Sequence, residues 1–551
     1  MRLRRHGSLL GSSLKSLSTR PILCSQCHHH QYSTGPPQNI AVIGGGITGL
    51  ASAYYIAKEQ PTARITIYEA GPRLGGWLHS SHVEVPGGRV LFEHGPRSLR
   101  PGMGALVTST LIQELGMIPD VIYTDKSAAS AVNRFIYYPD HLVRLPNPTN
   151  DSSLEIAFTT LREPLFKGFI PGAIGEAFRP TRPANLDDES VASFFARRLD
   201  PRVAQNIISA VLHGIYAGDV NQLSVRSIFP LLWTLEKQGG SVIRAIATSR
   251  VEENIKLLRR DRELLAETKK VVNPEFMAAM GKASVFSFRN GLQQLVDRLA
   301  ETVAGNKRVT TNLGTPVTHL ELEEAASGDK KMKVFTESES QTYDMVVSSI
   351  FSKTLSELCT SNSKTVLPEL AKTHAVTVMV VNLFYANPKL VPVEGFGYLI
   401  PQSIPFQQNP ERALGVIFDS DTIKGQDIAT GTKLTVILGG HWWDGWSTYP
   451  TEDEGVAAAQ SILARHLHIT DDPVAAQAKL QKDCIPQYTV GHITRMKQTH
   501  SQLMAHFKGR LRVVGNSYTG VGVNDCIRAA KDIAQDLGQY NQKSGLEEIP
   551  A

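Results

Sequence analysis

Several features that would place this chain of 551 residues in a special class are scarce or missing. No apolar run reaches the ~18 residues that a membrane-spanning helix needs, and the strongest late candidate, AVTVMVVNLFY at 375–385, is short and contains an asparagine. The five cysteines are too few and too scattered for a disulfide framework. These gaps argue against a transmembrane protein and a disulfide-stabilised secreted domain, and they favour a globular chain with two or three domains.

Acidic residues are missing from the first 58 positions. The same stretch is rich in serine and concentrates five positive charges in its first twenty residues, at Arg2, Arg4, Arg5, Lys15 and Arg20. A basic, serine-rich, acid-poor start is typical of a mitochondrial transit peptide, which we predict over residues 1–34; a disordered basic arm that touches nucleic acid is the alternative. Because these charges equal the net charge of +5, the remaining chain is close to neutral, and we expect no nucleic-acid partner.

The stretch Cys24-Ser-Gln-Cys27-His28 has the C-x-x-C-H pattern of a c-type haem attachment site. It lies within the predicted transit peptide, where a short Cys/His tract can arise from composition alone. We therefore expect neither haem nor a bound metal there.

The first folded segment has the order of a nucleotide-binding unit. It runs through an apolar run at 40–43 (IAVI), the glycines Gly44, Gly46 and Gly49, a helix-compatible stretch to Glu59, a second apolar run at 64–68 (RITIY), and Glu69. In such a unit the first glycine allows a tight turn, the second lets a pyrophosphate approach the backbone, and the third lets the helix lie close to the strand. An acidic residue at the end of the second strand meets a ribose hydroxyl. Both NAD and FAD fit this pattern.

A second glycine pattern follows immediately, in EAGPRLGGW at 69–77. The order Glu69-x-x-x-Arg73-x-Gly75-Gly76 resembles the second signature of the flavin enzymes related to amine oxidases, phytoene desaturases and protoporphyrinogen oxidases. That resemblance implies FAD rather than NAD. Without it, the stretch reads as a glycine-rich surface turn.

Eight further blocks narrow the resemblance. They are FEHGPRSLRP (92–101), NRFIYY (133–138), HGIYAGD (213–219), LSVRSIFP (223–230), GFGYLIP (395–401), LGVIFDS (414–420), CIPQYTVGH (484–492) and YTGVGVNDCI (518–527). Together, and in this order, they resemble the protoporphyrinogen oxidase family of the mitochondrial, haem-pathway type. The resemblance extends from Asn39 to Leu537, and eight ordered blocks are far more specific than any one of them.

The resemblance implies one non-covalent FAD per chain and assigns its contacts by position. The pyrophosphate would lie on Gly44, Gly45, Gly46, Ile47, Thr48 and Gly49. The adenosine ribose and the turn beside it would be held by Glu69, Ala70, Arg73 and Trp77. The remaining contacts would come from Gly95, Pro96, Arg97, Ser98, Val317, Trp442, Val521, Gly522 and Val523, with Val317 near the adenine and Trp442 near the isoalloxazine.

A tetrapyrrole site is implied in the same way. Phe396, Leu399 and Ile417 would pack on the macrocycle, Gly214 would leave room beside it, and Arg134 would pair with a propionate, since a guanidinium fork suits a carboxylate. From the residues alone, Arg134 reads as a solvated surface arginine and Phe396 as a core aromatic. No Ser/His/Asp set, H-E-x-x-H motif or pair of catalytically spaced carboxylates is found, so His213, Glu93 and Asp219 receive no acid or base role.

The implied reaction is the oxygen-dependent oxidation of protoporphyrinogen IX to protoporphyrin IX, the penultimate step of haem biosynthesis, in which six electrons leave the macrocycle and three H2O2 form. The protein is then an oxidoreductase that acts on CH–CH groups. Two alternatives remain open: an amine or carotenoid oxidoreductase on the same fold, and a non-enzymatic flavin-binding scaffold.

The implied architecture is an α/β fold of the GR2 flavoprotein type, with a discontinuous Rossmann-like FAD-binding domain, a mixed-sheet substrate domain and an inserted helical domain that associates with the membrane. The predicted boundaries are 39–128, 280–355 and 505–551 for the FAD-binding domain, 241–279 and 356–504 for the substrate domain, and 129–240 for the helical domain. From the residues alone, the helical segment is equally an ordinary bundle facing its own core.

The expected partners are protoporphyrinogen IX and molecular oxygen, with a homodimer and a ferrochelatase as further candidates. The expected location is the mitochondrial inner membrane, bound peripherally on its intermembrane-space side.

Overall fold

A parallel sheet of five strands is assembled from short apolar runs that are far apart in the chain. Across the sheet the strands are Leu511–Val513, Met345–Ser348, Asn39–Ile43, Arg64–Tyr68 and Val309–Asn312. Val42 lies beside Val347 on one side and Ile67 on the other. Strands that are buried on both faces read as continuous apolar runs, which is why the sequence identified Asn39–Ile43 and Arg64–Tyr68 so closely.

The computed structural model describes residues 37–247, 256–324, 330–537 and 543–547. All of them belong to one unit, 36–551. The predicted transit peptide and its Cys24–Cys27 pair lie outside the described residues. Within the described ranges, no helix has the length and apolar character needed to cross a membrane.

Successive residues of the central strand face different layers. Ile40 and Val42 join a core formed with helices on one face, whereas Ala41 and Ile43 join a core on the other face. The helices of the first layer are Ile47–Glu59, Leu106–Glu114, Lys256–Val271, Pro274–Lys282, Gln293–Ala304 and Val523–Leu537. The second layer contains the antiparallel strands Val317–Glu324, Lys330–Thr336 and Ser340–Tyr343 and the helices Ser352–Leu358, Pro368–Ala371 and His492–Phe507. The alternation of side chains along a strand therefore builds the two layers from one sheet.

A mixed sheet of seven strands forms the second half of the fold. In spatial order the strands are Ala475–Pro486, Ala375–Tyr385, Thr432–Gly439, Ala413–Phe418, Gly397–Leu399, Phe135–Tyr137 and Leu142–Arg144. The helix Glu452–Leu467 covers one face, with Ile462 packed among the strand residues. The last two strands lie within the segment predicted to be the helical domain, so that segment also supplies the edge of the substrate sheet. The domain boundaries themselves stay predictions.

Three antiparallel strand pairs and two more short helices lie in the described chain. The paired strands are Ser80–Val85 with Gly88–Glu93, Val121–Asp125 with Ala283–Phe288, and Thr360–Ser361 with Lys364–Thr365. The short helix Asp419–Thr422 follows a strand of the mixed sheet, and Ala129–Val132 begins the helical segment.

The helical segment also contains helices at Ser153–Arg162, Phe169–Glu176, Val191–Arg198, Pro201–Val203, Ser209–Tyr216, Val225–Ile228 and Pro230–Gly239, and the helix Val242–Ala247 follows just beyond its predicted end at residue 240. Their small core includes Phe194, Leu212 and Trp233. Two layered sheets with an inserted set of helices confirm the predicted mixed α/β class and the discontinuous Rossmann-like sheet.

Candidate functional site

The first glycine turn leaves the start of a helix ready for an anion. Gly44 has φ +98° and donates its N–H to the carbonyl of Tyr68 at 2.8 Å, which reverses the chain after the first strand. The helix Ile47–Glu59 then begins after Gly46, and no side chain of the described residues caps it. Its first internal hydrogen bond runs from Leu50 to Gly46, at 3.0 Å. The N–H groups of Gly46 to Gly49 therefore lack helical acceptors and carry the positive end of the helix dipole.

Gly49 sets how closely that helix approaches the strand. A Cβ atom at this position would collide with the carbonyl oxygen of Gly44. Only glycine allows this spacing, as the sequence pattern predicted.

The second glycine turn is bonded to the first. Gly75 donates its N–H to the carbonyl of Gly45 at 2.8 Å. Arg73 donates to the carbonyls of Leu74 at 3.0 Å, Gly76 at 2.5 Å and Leu78 at 3.2 Å, so its guanidinium holds the turn in shape. The two turns act as one backbone surface, which we call the cradle (residues 44–49 and 75–76).

Glu69 lies at the edge of the cradle. Its carboxylate accepts the N–H of Gly45 at 2.6 Å and that of Gly71 at 2.7 Å. The backbone of 314–315 is tied to the same place, because Thr315 donates to the carbonyl of Glu69 at 2.9 Å. That contact brings Val317 toward the acidic residue expected to meet a ribose. A glycine-rich cradle, bordered by a carboxylate, fits the pyrophosphate and ribose of FAD.

The C-terminal segment closes on the same edge of the sheet. Val521–Val523 lead into the helix Val523–Leu537, and Gly522 donates its N–H to Asp525 Oδ2 at 3.2 Å. The amide of Asn524 bridges two elements: it accepts from Thr108 Oγ1 at 2.8 Å and donates to the carbonyl of Arg100 at 3.0 Å. Predicted cofactor residues from the first and last fifths of the chain thus share the carboxyl edge of the parallel sheet, where ligands of α/β folds bind.

The side chain of Arg97 forms an ion pair within the protein instead of a direct ligand contact. It is buried and donates to both oxygens of Asp419, at 3.0 and 3.1 Å. Asp419 directly follows the strand Ala413–Phe418 of the mixed sheet, and it also accepts from Thr435, a residue of that sheet, at 2.5 Å. This ion pair ties the 95–98 segment to the substrate sheet, so any contact of Arg97 with the flavin would come from its backbone. Gly95 lets the same segment approach closely, because a Cβ there would collide with the carbonyl of Trp77.

The five predicted substrate residues lie on neighbouring stretches of the chain, which we call the wall; Gly214 is exposed and the other four are half-buried. A Cβ at Gly214 would lie 3.0 Å from Leu399 Cδ2, so the helix and the strand touch at this point. Ile417 is paired with Gly397 on the neighbouring strand. The Arg134 guanidinium carbon lies 4.4 Å from the centre of the Phe396 ring. Four separate stretches of chain therefore contribute to the wall, which the resemblance assigns to the macrocycle.

Arg134 carries an uncompensated positive charge. Its Nη2 reaches only the hydroxyl of Ser284, at 3.5 Å, and no carboxylate of the described residues pairs with it. Burial, together with the nearby positive charge of Arg100, lowers the pKa of Arg134 to about 10. The group is still a cation at neutral pH, and a half-buried cation without a partner is costly unless a ligand supplies the anion.

A pair of histidines that sequence reasoning left without a role lies beside the wall. His213 Nδ1 bonds the carbonyl of Ile400 at 2.6 Å, and His213 Nε2 lies 2.9 Å from His441 Nε2. Since a carbonyl only accepts, His213 carries its proton on Nδ1, and His441 donates from Nε2. Burial and the neighbouring His441 lower the pKa of His213 to about 3, so it is neutral.

The histidine pair borders the predicted flavin contact Trp442, whose ring centre lies 4.8 Å from that of His213 and 5.1 Å from that of His441. The two histidines are 228 positions apart. No local pattern could have joined them.

Glu93 and Asp219, which also received no catalytic role, both accept hydrogen bonds from other residues of the protein. Glu93 accepts from Ser80 Oγ at 2.6 Å and from the Leu292 N–H at 2.8 Å, and burial raises its pKa to about 7. Burial alone would raise the pKa of Asp219, but hydrogen bonds from Gln402 and Asn221 hold it below its usual range. In the described part of the chain, no group of three or more His, Cys, Asp or Glu side chains could hold a metal ion.

Known proteins match the chain over nearly its whole length. The profile of the family described as flavin containing amine oxidoreductase matches residues 47–538. A curated protein named protoporphyrinogen oxidase from Schizosaccharomyces pombe is 34% identical over 92% of this chain and 100% of its own length. Its namesake from Homo sapiens is 33% identical over 90% of this chain and 98% of its own. A crystal structure from Exiguobacterium sp. 255-15 shares the fold, with TM-score 0.70, 22% identity and coverage of 92% of this chain and 99% of that one.

Proposed function

The chain belongs to the flavin-containing amine oxidoreductases, alongside the protoporphyrinogen oxidases, and we propose that it oxidises protoporphyrinogen IX to protoporphyrin IX with FAD as its cofactor. One observation carries the choice of substrate. The wall of Gly214, Phe396, Leu399 and Ile417 is apolar, and it ends in Arg134, a cation without a carboxylate partner among the described residues. A flat apolar macrocycle with propionates on one edge has the matching chemistry.

FAD would supply the redox chemistry, namely transfer of electrons in pairs from the substrate to oxygen, so that protoporphyrinogen and three O2 would give protoporphyrin and three H2O2. The residues of the chain bind and orient. The cradle and Glu69 hold the pyrophosphate and ribose, and the Arg97–Asp419 ion pair joins the cofactor side of the site to the substrate sheet. The wall excludes water from one face of the macrocycle, and Arg134 fixes which edge points outward.

The competing amine-oxidase function can be weighed at Cys526, the cysteine nearest the flavin edge. In some amine oxidases a cysteine links the flavin covalently. Cys526 is buried on the C-terminal helix, and burial raises the pKa of its thiol to about 11. A neutral, buried thiol is a poor nucleophile, which favours a non-covalent flavin.

The direct test is aerobic fluorimetry of the purified, FAD-loaded protein with protoporphyrinogen. We expect a rise in porphyrin fluorescence and three H2O2 per porphyrin. Arg134→Gln should raise KM about tenfold with a smaller change in kcat, because a carboxylate contact made equally in ground and transition states is lost. A protein that leaves porphyrinogen unoxidised while it oxidises amines would reverse the assignment.

We also propose that the helical segment binds a membrane surface. Its helix Ser153–Arg162 exposes Leu154, Phe158 and Leu161 on one face, with Leu154 83% exposed. Ile174 and Phe178 are exposed farther along, Phe178 to 87%. We call these five side chains the exposed apolar set. Large apolar side chains in water mark an interaction site when they cluster, and an amphipathic helix suits a bilayer surface.

Sedimentation with phosphatidylcholine vesicles tests the membrane proposal. The native protein should co-sediment, and a variant with Leu154→Ser, Phe158→Ser and Phe178→Ser should stay in the supernatant while it keeps its activity with detergent-solubilised porphyrinogen. Equal sedimentation of both proteins would oppose it.

Location and assembly remain proposals of the same kind. The acid-free, basic start supports import into mitochondria, and we propose peripheral binding on the intermembrane-space side of the inner membrane, with a homodimer and a ferrochelatase as candidate partners. Protease protection of the protein in intact mitochondria and in mitoplasts separates the two sides of that membrane. Light scattering of the purified protein tests the dimer.

A further inference from the structure

Arg100 is a second unpaired cation at the substrate site. It is exposed, and its side chain makes no hydrogen bond or ion pair with any residue that the structure describes. Only its backbone is held, through the carbonyl that accepts from Asn524. An exposed guanidinium is hydrated, and without a protein partner it stays available to a ligand carboxylate.

The backbone places Arg100 next to Arg134. Leu99 and Phe286 exchange both N–H···O bonds, at 2.8 and 2.9 Å, in an antiparallel bridge. Beyond an antiparallel bridge the two chains continue past each other in opposite directions. Arg100 therefore lies opposite Val285, and the next residue of that strand is Ser284, whose hydroxyl contacts Arg134.

Charge supports this placement. The positive charge of Arg100 acts on Arg134, and no carboxylate offsets it there. Two uncompensated guanidinium groups repel each other, and the repulsion is relieved when an anion with two negative charges binds between them.

We propose that Arg100 and Arg134 together bind the two propionate groups of the substrate, so that Arg100 selects macrocycles with two neighbouring carboxylates. This inference rests on the proposed function and deepens it. Arg134, stacked on Phe396, anchors one carboxylate at the wall. Arg100, on the Leu99–Phe286 bridge, receives the second from the solvent side.

Binding of three stable porphyrins to the FAD-loaded protein tests the proposal. Protoporphyrin IX has two free carboxylates, its monomethyl ester one and its dimethyl ester none. By fluorescence titration, the native protein should lose about tenfold in affinity for each carboxylate that is masked. Arg100→Gln should bind the diacid about tenfold more weakly than the native protein and should bind the diacid and the monoester alike.

Two variants control for charge and folding. Arg100→Lys restores the charge and should recover most of the diacid affinity. Arg259→Gln removes an arginine whose side chain is 76% exposed, on a helix outside the site, and should match the native protein. Without ligand, Arg100→Gln should melt no lower than the native protein, because the variant removes a repulsion.

The outcomes separate the two claims. If the native protein prefers the diacid and Arg100→Gln shares that preference in full, the role of Arg100 is wrong and the proposed function stands. If the native protein neither binds the diacid nor oxidises porphyrinogen, the proposed function fails, and the role of Arg100 fails with it.

Discussion

The cradle side of the molecule and the helical segment distribute their polar and apolar groups in opposite ways. Around the cradle, apolar residues of the parallel sheet are buried on both faces, and the unsatisfied N–H groups at the helix start point to a ligand. In the helical segment the charged side chains Glu176, Arg198 and Glu236 are buried, while Leu154 and Phe178 are exposed. The helices of a bundle in water normally place polar residues on their outer faces, so the exposed apolar side chains are the feature that supports the proposed membrane contact.

The buried acidic residues of the two regions differ in the direction in which their pKa is shifted. Arg182 and Arg197 donate to Glu236 at 2.9 and 2.5 Å, and although burial alone would raise it, these bonds hold the pKa of Glu236 below its usual range. Glu93, beside the cradle, accepts only neutral donors, and burial raises its pKa to about 7. Lowering the pH should therefore loosen the helical segment, while raising it should loosen the surroundings of Glu93.

The largest effect is expected at Glu236. Glu236→Ala removes the buried carboxylate that Arg182 and Arg197 share and leaves Arg197 with Glu189 alone. Breaking a buried ion pair from one side costs about 3–5 kcal/mol. Urea unfolding should measure this decrease in the free energy of unfolding. Hydrogen exchange should show that the helical segment opens first. The exposed pair Arg298–Glu301, 3.5 Å apart, is the control: Glu301→Ala should change the free energy of unfolding by about 0.5 kcal/mol or less. Equal costs for both variants would mean that the buried network adds nothing.

Gly49→Ala should come next and should act on the cradle. The added Cβ collides with the carbonyl oxygen of Gly44, which we expect to cost about 3 kcal/mol and to leave the purified protein without yellow FAD. Gly281→Ala is the matched control, because a Cβ there has no atom within 4 Å and lies in a helix, where alanine is favoured. Retention of FAD by Gly49→Ala would show that the close approach of helix and strand is unnecessary.

Much of the cradle could be predicted from the sequence because its elements follow one another along the chain. The strand Arg64–Tyr68 is as predicted. The helix that follows the first glycine turn begins at Ile47, directly after its N-cap residue Gly46, rather than at Leu50. The substrate wall could be expected only through family resemblance, since Gly214 and Leu399 meet although they are 185 positions apart.

Other contacts had no signal of their own in the sequence. The strands Phe135–Tyr137 and Leu142–Arg144 have three residues each, too few for an alternating pattern to show. The Arg97–Asp419 ion pair spans 322 positions and depends on how the two sheets pack. The sequence likewise does not show whether the charge of an arginine, such as Arg100, is compensated by a nearby carboxylate.

A pH series on Glu93→Gln should give a moderate effect. A raised pKa means that the folded protein holds a proton that the unfolded chain releases, so the stability it contributes is present below about pH 4.5 and is lost as the pH rises through about 7. Between pH 5 and pH 8 the native protein should lose on the order of 2 kcal/mol relative to Glu93→Gln. Glu84→Gln, on the exposed face of the same hairpin, should follow the native protein. Parallel curves for all three proteins would contradict the assignment.

The smallest effect on stability is expected in the exposed apolar set. Phe178→Ser should change the free energy of unfolding in aqueous buffer by no more than about 0.5 kcal/mol, because the side chain is already in solvent. Phe194→Ser, in the core of the same segment, should cost at least ~3 kcal/mol. A large loss for Phe178→Ser would mean that its side chain packs within the protein, and the contrast between the two regions would disappear.

The most direct measurement is anaerobic mixing of the FAD-loaded protein with protoporphyrinogen IX, with the flavin absorbance followed in a stopped-flow instrument. The wall and its unpaired arginine predict rapid bleaching of the flavin, recovery of the yellow colour when oxygen is admitted, and no bleaching by primary amines. Bleaching by amines, with a flavin that stays oxidised in the presence of protoporphyrinogen, would contradict the account.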